Sequence, residues 1–224
     1  MSIRVLLVDD QSLLRLGFRM VLETQPDIEV VGEAGDGAQA VAMTRRLHPD
    51  VVVMDVRMPV LDGIQATRQI VAAGSAARVL VLTTFNLDEY VFAALRAGAS
   101  GFLLKDVPPA DLLTGIRAVA VGDAVVAPTV TRRLLEAFAD HLPDPATGRS
   151  PTDQRLGQLT DREQQVLVEV ARGHSNAEIA NLLTVSEKTV KTHVGRILAK
   201  LDLRDRVQVV VFAYEAGVIR PGTD

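Results

Sequence analysis

Residues 51–59, VVVMDVRMP, hold the pattern that decides the fold of the first half of the chain. Four apolar residues in a row, three of them valines, are typical of a short strand buried on both faces. Strands of this kind belong to parallel sheets, in which helices cover both faces. The run stops at Asp55, so a carboxylate follows directly on the predicted strand.

Short apolar runs of the same kind occur elsewhere in the first half of the chain. They cover 3–8, 29–33, 79–82 and 101–104. Segments with helical spacing lie between and after them, at 11–24, 36–47, 62–74, 87–98 and 109–121. Five strand–helix units in alternation predict an α/β doubly wound, five-stranded parallel sheet with helices on both faces. We expect this domain to cover residues 1–121.

The rest of the chain has a different pattern. Residues 122–156 are predicted to be a linker, because Pro, Gly, Ser, Thr and Asp are frequent from 143 onward, although 131–142 can form an amphipathic helix. Residues 157–224 are predicted to form a small all-α domain. Its helices are expected at about 160–172, 176–183, 187–201 and 205–217.

The composition limits the chemistry that the chain can perform. It holds no cysteine, which excludes a disulfide framework, a thiolate metal site and a cysteine nucleophile. It shows no apolar run of membrane-spanning length and no signal peptide in its first ten residues, so we expect a cytoplasmic protein. The net charge is −4, but five Lys/Arg against two Asp/Glu in 184–204 give a local +3 that can meet phosphates.

Charged or hydroxyl side chains follow four of the predicted strands. Asp9 and Asp10 follow the first strand, Asp55 the third, Thr83 the fourth and Lys105 the fifth. Ligands of an open parallel sheet bind beyond the carboxyl ends of its strands, so these groups are expected to converge. Clustered carboxylates repel one another unless a cation joins them, and an all-oxygen site suits Mg²⁺. Asp55 is then the candidate nucleophile for a phosphoryl group, which Lys105 and Thr83 can hold.

The segment 187–201 has apolar residues on one face and small or basic residues on the other. Such an exposed face fits a major groove, where small residues permit close approach and Lys or Arg meet phosphates or guanine. The preceding helix 176–183 and the tight turn after it complete a helix-turn-helix frame. The alternative is a solvated basic face on an ordinary helical bundle.

The last predicted helix, 205–217, is apolar almost all round. A helix of this kind should be buried on more than one side. We therefore expect a second copy of the chain to cover it, so that two recognition helices meet an inverted repeat about one DNA turn apart.

The motifs of the first half resemble the signature of response-regulator receiver domains, which have a flavodoxin-like fold. They are Val8-Asp9-Asp10, Met54-Asp55-Val56-Arg57-Met58-Pro59, Asp62-Gly63, Leu82-Thr83 and Lys105. The resemblance implies that a sensor histidine kinase phosphorylates Asp55. It also implies that Asp10, Asp55 and the Arg57 carbonyl bind Mg²⁺ with Asp9 nearby. Thr83 and Phe102 take the positions of the switch residues, although Phe102 is as well explained as a core residue of the fifth strand.

The motifs of the second half are similar to the LuxR-type DNA-binding domain. They are Leu159-Thr-Asp-Arg-Glu163, Ser175-Asn-Ala-Glu-Ile-Ala180, Val185-Ser186, Thr189-Val-Lys-Thr-His-Val194 and Ile197-Leu-Ala-Lys-Leu201. Together with a receiver, they resemble the NarL/FixJ subfamily of response regulators, which implies a homodimer on double-stranded promoter DNA. The candidate DNA-binding residues are Lys188, Thr189, Lys191, Thr192, His193, Gly195, Arg196 and Lys200.

The sequence therefore predicts a phosphorylation-controlled transcription regulator rather than an enzyme with turnover. Two alternatives stay open. A phosphatase or hydrolase on the same fold would use Asp55 as nucleophile and would need a substrate pocket. A phosphate-independent binding module would need a receiver that has lost its reacting groups, whereas the acid pair, Asp55, Thr83 and Lys105 are all present.

Overall fold

A computed structural model of the chain describes residues 2–83, 87–122, 125–126 and 155–219, so the predicted helix at 131–142 lies outside the described residues. The chain divides into two compact units, Met1–Ala127 and Pro128–Asp224. In the part of the chain that the structure describes, no helix has both the length and the apolar character needed to cross a membrane.

The first unit is built on a fully parallel sheet, as predicted. Its strands, in chain order, are β1 (Ile3–Val8), β2 (Ile28–Ala34), β3 (Val51–Asp55), β4 (Arg78–Thr83), β5 (Gly101–Leu104) and β6 (Val125–Val126). The spatial order is β2-β1-β3-β4-β5-β6. The sheet thus has a sixth strand where five were predicted. Two residues are too short a run to show a period in the sequence, and β6 forms only by pairing with Gly101 and Phe102 of β5.

Five helices connect these strands. They are α1 (Ser12–Glu23), α2 (Gly37–Leu47), α3 (Gly63–Ala72), α4 (Leu87–Arg96) and α5 (Pro109–Val121). The carboxylates of Asp36 and Asp62 cap α2 and α3 by accepting a hydrogen bond from the third backbone N–H group of each helix. Inward residues of β1, β3 and β4 form one core with Leu22 of α1 and with α5, so α1 and α5 cover the same face of the sheet.

The pairing of β1 with β2 contains one irregularity. Val5 lies opposite Val30, but the next residue, Leu6, lies opposite Gly32, so that β2 has one extra residue at this point. Because side chains alternate between the two faces of a strand, the extra residue turns every later side chain of β2 to the other face. Glu33 consequently lies beside Leu7, whose side chain belongs to the face covered by α1.

The second unit is helical in its described part. Its helices are α6 (Asp161–Ala171), α7 (Asn176–Leu183), α8 (Glu187–Lys200) and α9 (Arg206–Glu215), close to the predicted bounds. Complete capping boxes start α6, at Thr160 and Glu163, and α7, at Ser175 and Glu178. The helix α6 packs against both α8 and α9.

The last helix, α9, is buried within a single copy of the chain. Seven of its ten residues are buried, and they lie on all sides of the helix. The helix packs on α6 and α8, and the Arg155 guanidinium lies 4.9 Å from the centre of the Phe212 ring. The expectation that a second copy must cover α9 is therefore wrong. The apolar pattern of α9 correctly indicated burial on several sides. It could not show whether the same chain or a second copy buries the helix.

Candidate phosphoacceptor site and DNA-binding surface

The polar residues at the ends of β1, β3 and β5 meet at one edge of the sheet. The Lys105 Nζ atom lies 2.7 Å from Asp9 Oδ2 and 2.8 Å from Asp55 Oδ2, and all three side chains are buried. The backbone N–H of Lys105 also donates to the Thr83 carbonyl at 2.8 Å, which places the end of β4 beside this group. The predicted convergence is thus present for the side chains of Asp9, Asp55 and Lys105, and the backbone of Thr83 lies beside them.

Three carboxylates lie close enough together to share a cation. One oxygen of each of Asp9, Asp10 and Asp55 lies within 4.8 Å of the others. Asp10 is exposed, so the cluster is open to solvent on that side. Three carboxylates against one ammonium leave excess negative charge, and all the donors are oxygens. This donor set fits a hard divalent cation such as Mg²⁺.

Burial and charge oppose each other at the two central groups. Burial, with the negative charge of Asp9, raises the pKa of Asp55 despite the opposing hydrogen bond and charge of Lys105. Burial alone would lower the pKa of Lys105, but its hydrogen bonds to Asp55 and Asp9 raise it overall, so the ammonium stays charged. The Val56 N–H group fixes Asp55 Oδ1 at 2.7 Å. The Asp55 side chain is therefore fixed in position by Val56 and Lys105 but is poorly solvated.

The loop after β3 packs directly on this site. A Cβ atom on Gly63 would lie 1.9 Å from the Asp55 carbonyl oxygen, so only glycine fits there. Val60, at the tip of the loop, has a φ of 68°, and the Leu61 N–H donates to the Pro59 carbonyl across it at 2.8 Å. Positive φ is costly for a β-branched residue, so the turn beside Asp55 is strained.

The other predicted receiver residues take distinct positions. Thr83 is buried at the end of β4, whereas Arg57 is exposed in the loop after β3. Phe102 is fully buried in β5. Thr83 is thus beside Lys105, and Phe102 is a core residue in this structure.

The helix α8 presents most of the predicted DNA-binding residues to solvent. Ser186 caps it by accepting the Thr189 N–H at 3.1 Å, and Val190 and Ile197 anchor it in the core. Thr189 and His193 are half-buried, and space is open around Gly195. The exposed candidates are Lys188, Lys191, Thr192, Gly195, Arg196 and Lys200.

Lys200 differs from the other candidates because its ammonium is already paired. Its Nζ lies 2.7 Å from Oε2 of Glu163, whose side chain is only 3% exposed. The same Glu163 oxygen accepts the Thr160 N–H at 2.8 Å in the capping box of α6. Lys200 therefore ties the end of α8 to the start of α6. Sequence reasoning missed this pair, since its members lie 37 residues apart and each also fits a local role.

Two family models together match most of the chain. The model of the response regulator receiver domain matches residues 5–117, and that of the bacterial regulatory proteins of the luxR family matches residues 157–213. The chain belongs to the response regulators. Its second unit carries the LuxR-type DNA-binding domain, so this response regulator is of the NarL/FixJ type and regulates transcription in a two-component system.

Relatives and solved structures agree with this membership along almost the whole length. The response regulator is 44% identical to the uncharacterized transcriptional regulatory protein YxjL of Bacillus subtilis (strain 168), over 98% of both chains. It is 37% identical to the response regulator protein VraR of Staphylococcus aureus (strain Mu3 / ATCC 700698), over 98% of this chain and all of VraR. The crystal structure of ChrA, the response regulator of a heme-sensing two-component system, matches at 37% identity with a TM-score of 0.53, covering 97% and 99% of the two chains.

The Glu163–Lys200 pair makes the stability of the response regulator's second unit depend on pH. The hydrogen bond from Lys200 lowers the pKa of Glu163 to about 2, against 4.5 for a free glutamate. A carboxyl group whose pKa is lowered on folding contributes stability above its unfolded pKa and loses it as the pH falls toward its folded pKa. The contribution of Glu163 is thus complete at pH 7 and disappears between pH 4.5 and about 2.

We expect Glu163→Gln to lower the free energy of unfolding of the second unit by about 1–3 kcal/mol at pH 7. The difference from the wild type should become small near pH 2, because about half of the Glu163 carboxyl groups are then protonated as well. Urea unfolding at several pH values, followed through the amide NMR signals of α6, measures both. Glu187→Gln, at an exposed position of α8, is the control and should change little. A pH-independent difference for Glu163→Gln would contradict the role given to the ion pair.

Proposed function

We propose that a sensor histidine kinase switches this response regulator by phosphorylating Asp55, and that α8 then binds promoter DNA. The observation that carries the proposal is the meeting of Asp55 with Asp9, Asp10 and Lys105 at one sheet edge. These four residues fit a site that accepts a phosphoryl group better than a site that turns over a small substrate. Promoter DNA as the partner implies a cytoplasmic location.

In the proposed transfer, an oxygen of Asp55 attacks the phosphorus of the donor's phosphohistidine. The new O–P bond forms as the N–P bond breaks, and the bonding electrons return to the imidazole nitrogen. Lys105, already 2.8 Å from Asp55 Oδ2, supplies a fixed positive charge for the phosphoryl oxygens. Mg²⁺, held by Asp10, Asp55 and the Arg57 carbonyl with Asp9 nearby, would neutralise negative charge there. Thr83 and Phe102 are the proposed switch residues that respond to the phosphoryl group.

Asp55 should be the single phosphorylation site. With acetyl phosphate and Mg²⁺, the wild type should gain the mass of one phosphoryl group, and peptide mapping should place it on Asp55. The Asp55→Asn variant should gain none, because the amide is not a competent nucleophile. Asp106→Asn, which changes an exposed carboxylate next to Lys105, is the matched control and should still be labelled. Labelling of Asp55→Asn at another residue would refute the assignment.

The exposed face of α8 is the proposed surface for the major groove. Lys191, Thr192 and Gly195 are proposed to face base edges, and Lys188 and Arg196 the phosphates, and all five are exposed. Thr189 and His193, which are half-buried, are left as flanking contacts. Lys200 is proposed only as a flanking contact, because its ammonium already forms an ion pair with the buried Glu163 carboxylate, which offsets its charge toward a phosphate.

Lys191→Ala should weaken binding to a site chosen by in vitro selection by about 1–3 kcal/mol and relax the base preference at one position. Lys188→Ala should weaken all sequences alike and reduce the slope of affinity against salt by about one phosphate contact. Binding isotherms at several salt concentrations, repeated with single-base variants of the site, separate the two effects. Unchanged affinity and preference in Lys191→Ala would show that another surface reads the DNA.

A homodimer on an inverted repeat fits a regulator of this kind, but α9 offers it little apolar surface, because its apolar residues are buried in one copy. We propose α1 instead, where Leu13, Leu16 and Met20 are 81%, 51% and 64% exposed. Their spacing of three and four residues puts them on one face of the helix. Gly17 lies among them with open space around it, which permits close approach. In a two-fold antiparallel pair, Leu13 of one copy would lie against Met20 of the other.

Leu13→Glu should weaken dimer formation by the phosphorylated protein about tenfold or more, because a charge would enter the apolar seam. Folding should be unaffected, since the residue is exposed in one copy. Leu182→Glu, at a 58% exposed leucine on α7, is the control and should dimerise normally. Sedimentation velocity with and without acetyl phosphate gives the association constants. Normal dimerisation of Leu13→Glu would exclude α1 as the seam.

A further inference from the structure

We propose that Arg15 of α1 is a positioning residue that orients the acid pair Asp9 and Asp10 for binding the divalent cation. This inference rests on the proposed function, because it assigns to Arg15 the geometry of the same site. Arg15 touches neither the reacting carboxylate nor the ammonium. It acts through the backbone at the end of β1.

The Arg15 side chain joins the carbonyl of Asp9 to the end of β2. Its Nη1 donates to the Asp9 carbonyl oxygen at 2.5 Å, and its Nε donates to Glu33 Oε2 at 3.3 Å. The side chain is only 18% exposed. A guanidinium can make both contacts at once because its donors form a planar fork, which an ammonium lacks.

The Asp9 carbonyl belongs to the peptide bond that links the two acids. That bond is planar, so fixing its oxygen fixes the direction in which the chain enters Asp10. Asp9 is held at its other polar atoms as well, by Lys105, by the Gln11 N–H at 2.9 Å and through its own N–H to Ala34. Within the described residues, no hydrogen bond or ion pair holds the Asp10 carboxylate. Its orientation therefore depends on the peptide bond that Arg15 holds.

The extra residue in β2 brings the anchor for Arg15 to the correct face. Without it, Glu33 would lie on the face away from α1. Glu33 also accepts Arg19 Nη1 at 2.8 Å, and the hydrogen bond from Arg19, with that from Arg15, lowers the pKa of Glu33 despite its burial. Glu33 is thus a permanent anion between two arginines. Only one of them reaches the acid pair.

That difference supplies a matched pair of variants in the full-length protein. Arg15→Met should raise the dissociation constant for Mg²⁺ about tenfold, the usual size of the effect when a residue that orients a metal ligand is lost. Arg19→Met removes the other partner of Glu33 but no contact to Asp9, and should leave the constant within about twofold. Arg15→Lys keeps the charge and the aliphatic stem, so it should fold well yet weaken Mg²⁺ binding in the same direction.

Calorimetric titration with Mg²⁺ alone, without a phosphodonor, measures these constants, and circular dichroism checks folding. Phosphorylation of Arg15→Met by acetyl phosphate should be slower than that of the wild type at low Mg²⁺ and should reach the wild-type rate at high Mg²⁺. Wild-type affinity for Mg²⁺ in Arg15→Met and Arg15→Lys would overturn the proposal, and so would an equal loss in Arg19→Met. Arg15-dependent Mg²⁺ binding in a protein that is not labelled on Asp55 would support this inference while contradicting the proposed function.

Discussion

Lys105 lies between two buried carboxylates, and the receiver depends on the charge balance that it sets. Burying Asp9 and Asp55 side by side without a cation would cost far more than their packing returns. The Lys105 ammonium, 2.7 Å from Asp9 Oδ2 and 2.8 Å from Asp55 Oδ2, offsets much of this cost. The third carboxylate, Asp10, keeps the cluster negative. The site is therefore stable enough to fold and still has excess negative charge that favours a divalent cation.

The parallel sheet makes this arrangement possible. All its strands run the same way, so residues distant in sequence reach one edge together, and the buried β3 holds Asp55 in the middle of it. The loop after β3 closes over the Asp55 backbone only because Gly63 has no side chain. In the second unit, by contrast, the buried carboxylate of Glu163 is fully balanced by one ammonium. There the pair between Glu163 and Lys200 stabilises the helices, and the exposed cations of α8 remain available to phosphates.

Most of the fold was predictable because it follows from local patterns. Buried strands give apolar runs, and the capping boxes at Thr160 and Ser175 mark where helices begin. The acid cluster was predictable for a related reason, since strand order alone sends Asp9, Asp55 and Lys105 to the same edge. The two-residue β6 and the cover of α9 were not predictable. One is too short to show a period, and the other depends on which surfaces meet after folding.

The sequence by itself determined the two architectures, the candidate reacting groups and the helix that carries the exposed basic face. These depend on residue type and on spacing along one chain. Only the tertiary structure decided which charged side chains form ion pairs within the chain and which remain exposed to solvent. It paired Lys200 with Glu163 across 37 residues, and it turned Glu33 toward Arg15 through one extra residue in β2. Such pairings depend on register and on distance in space, and a shift of one residue in a strand reverses the face without changing composition.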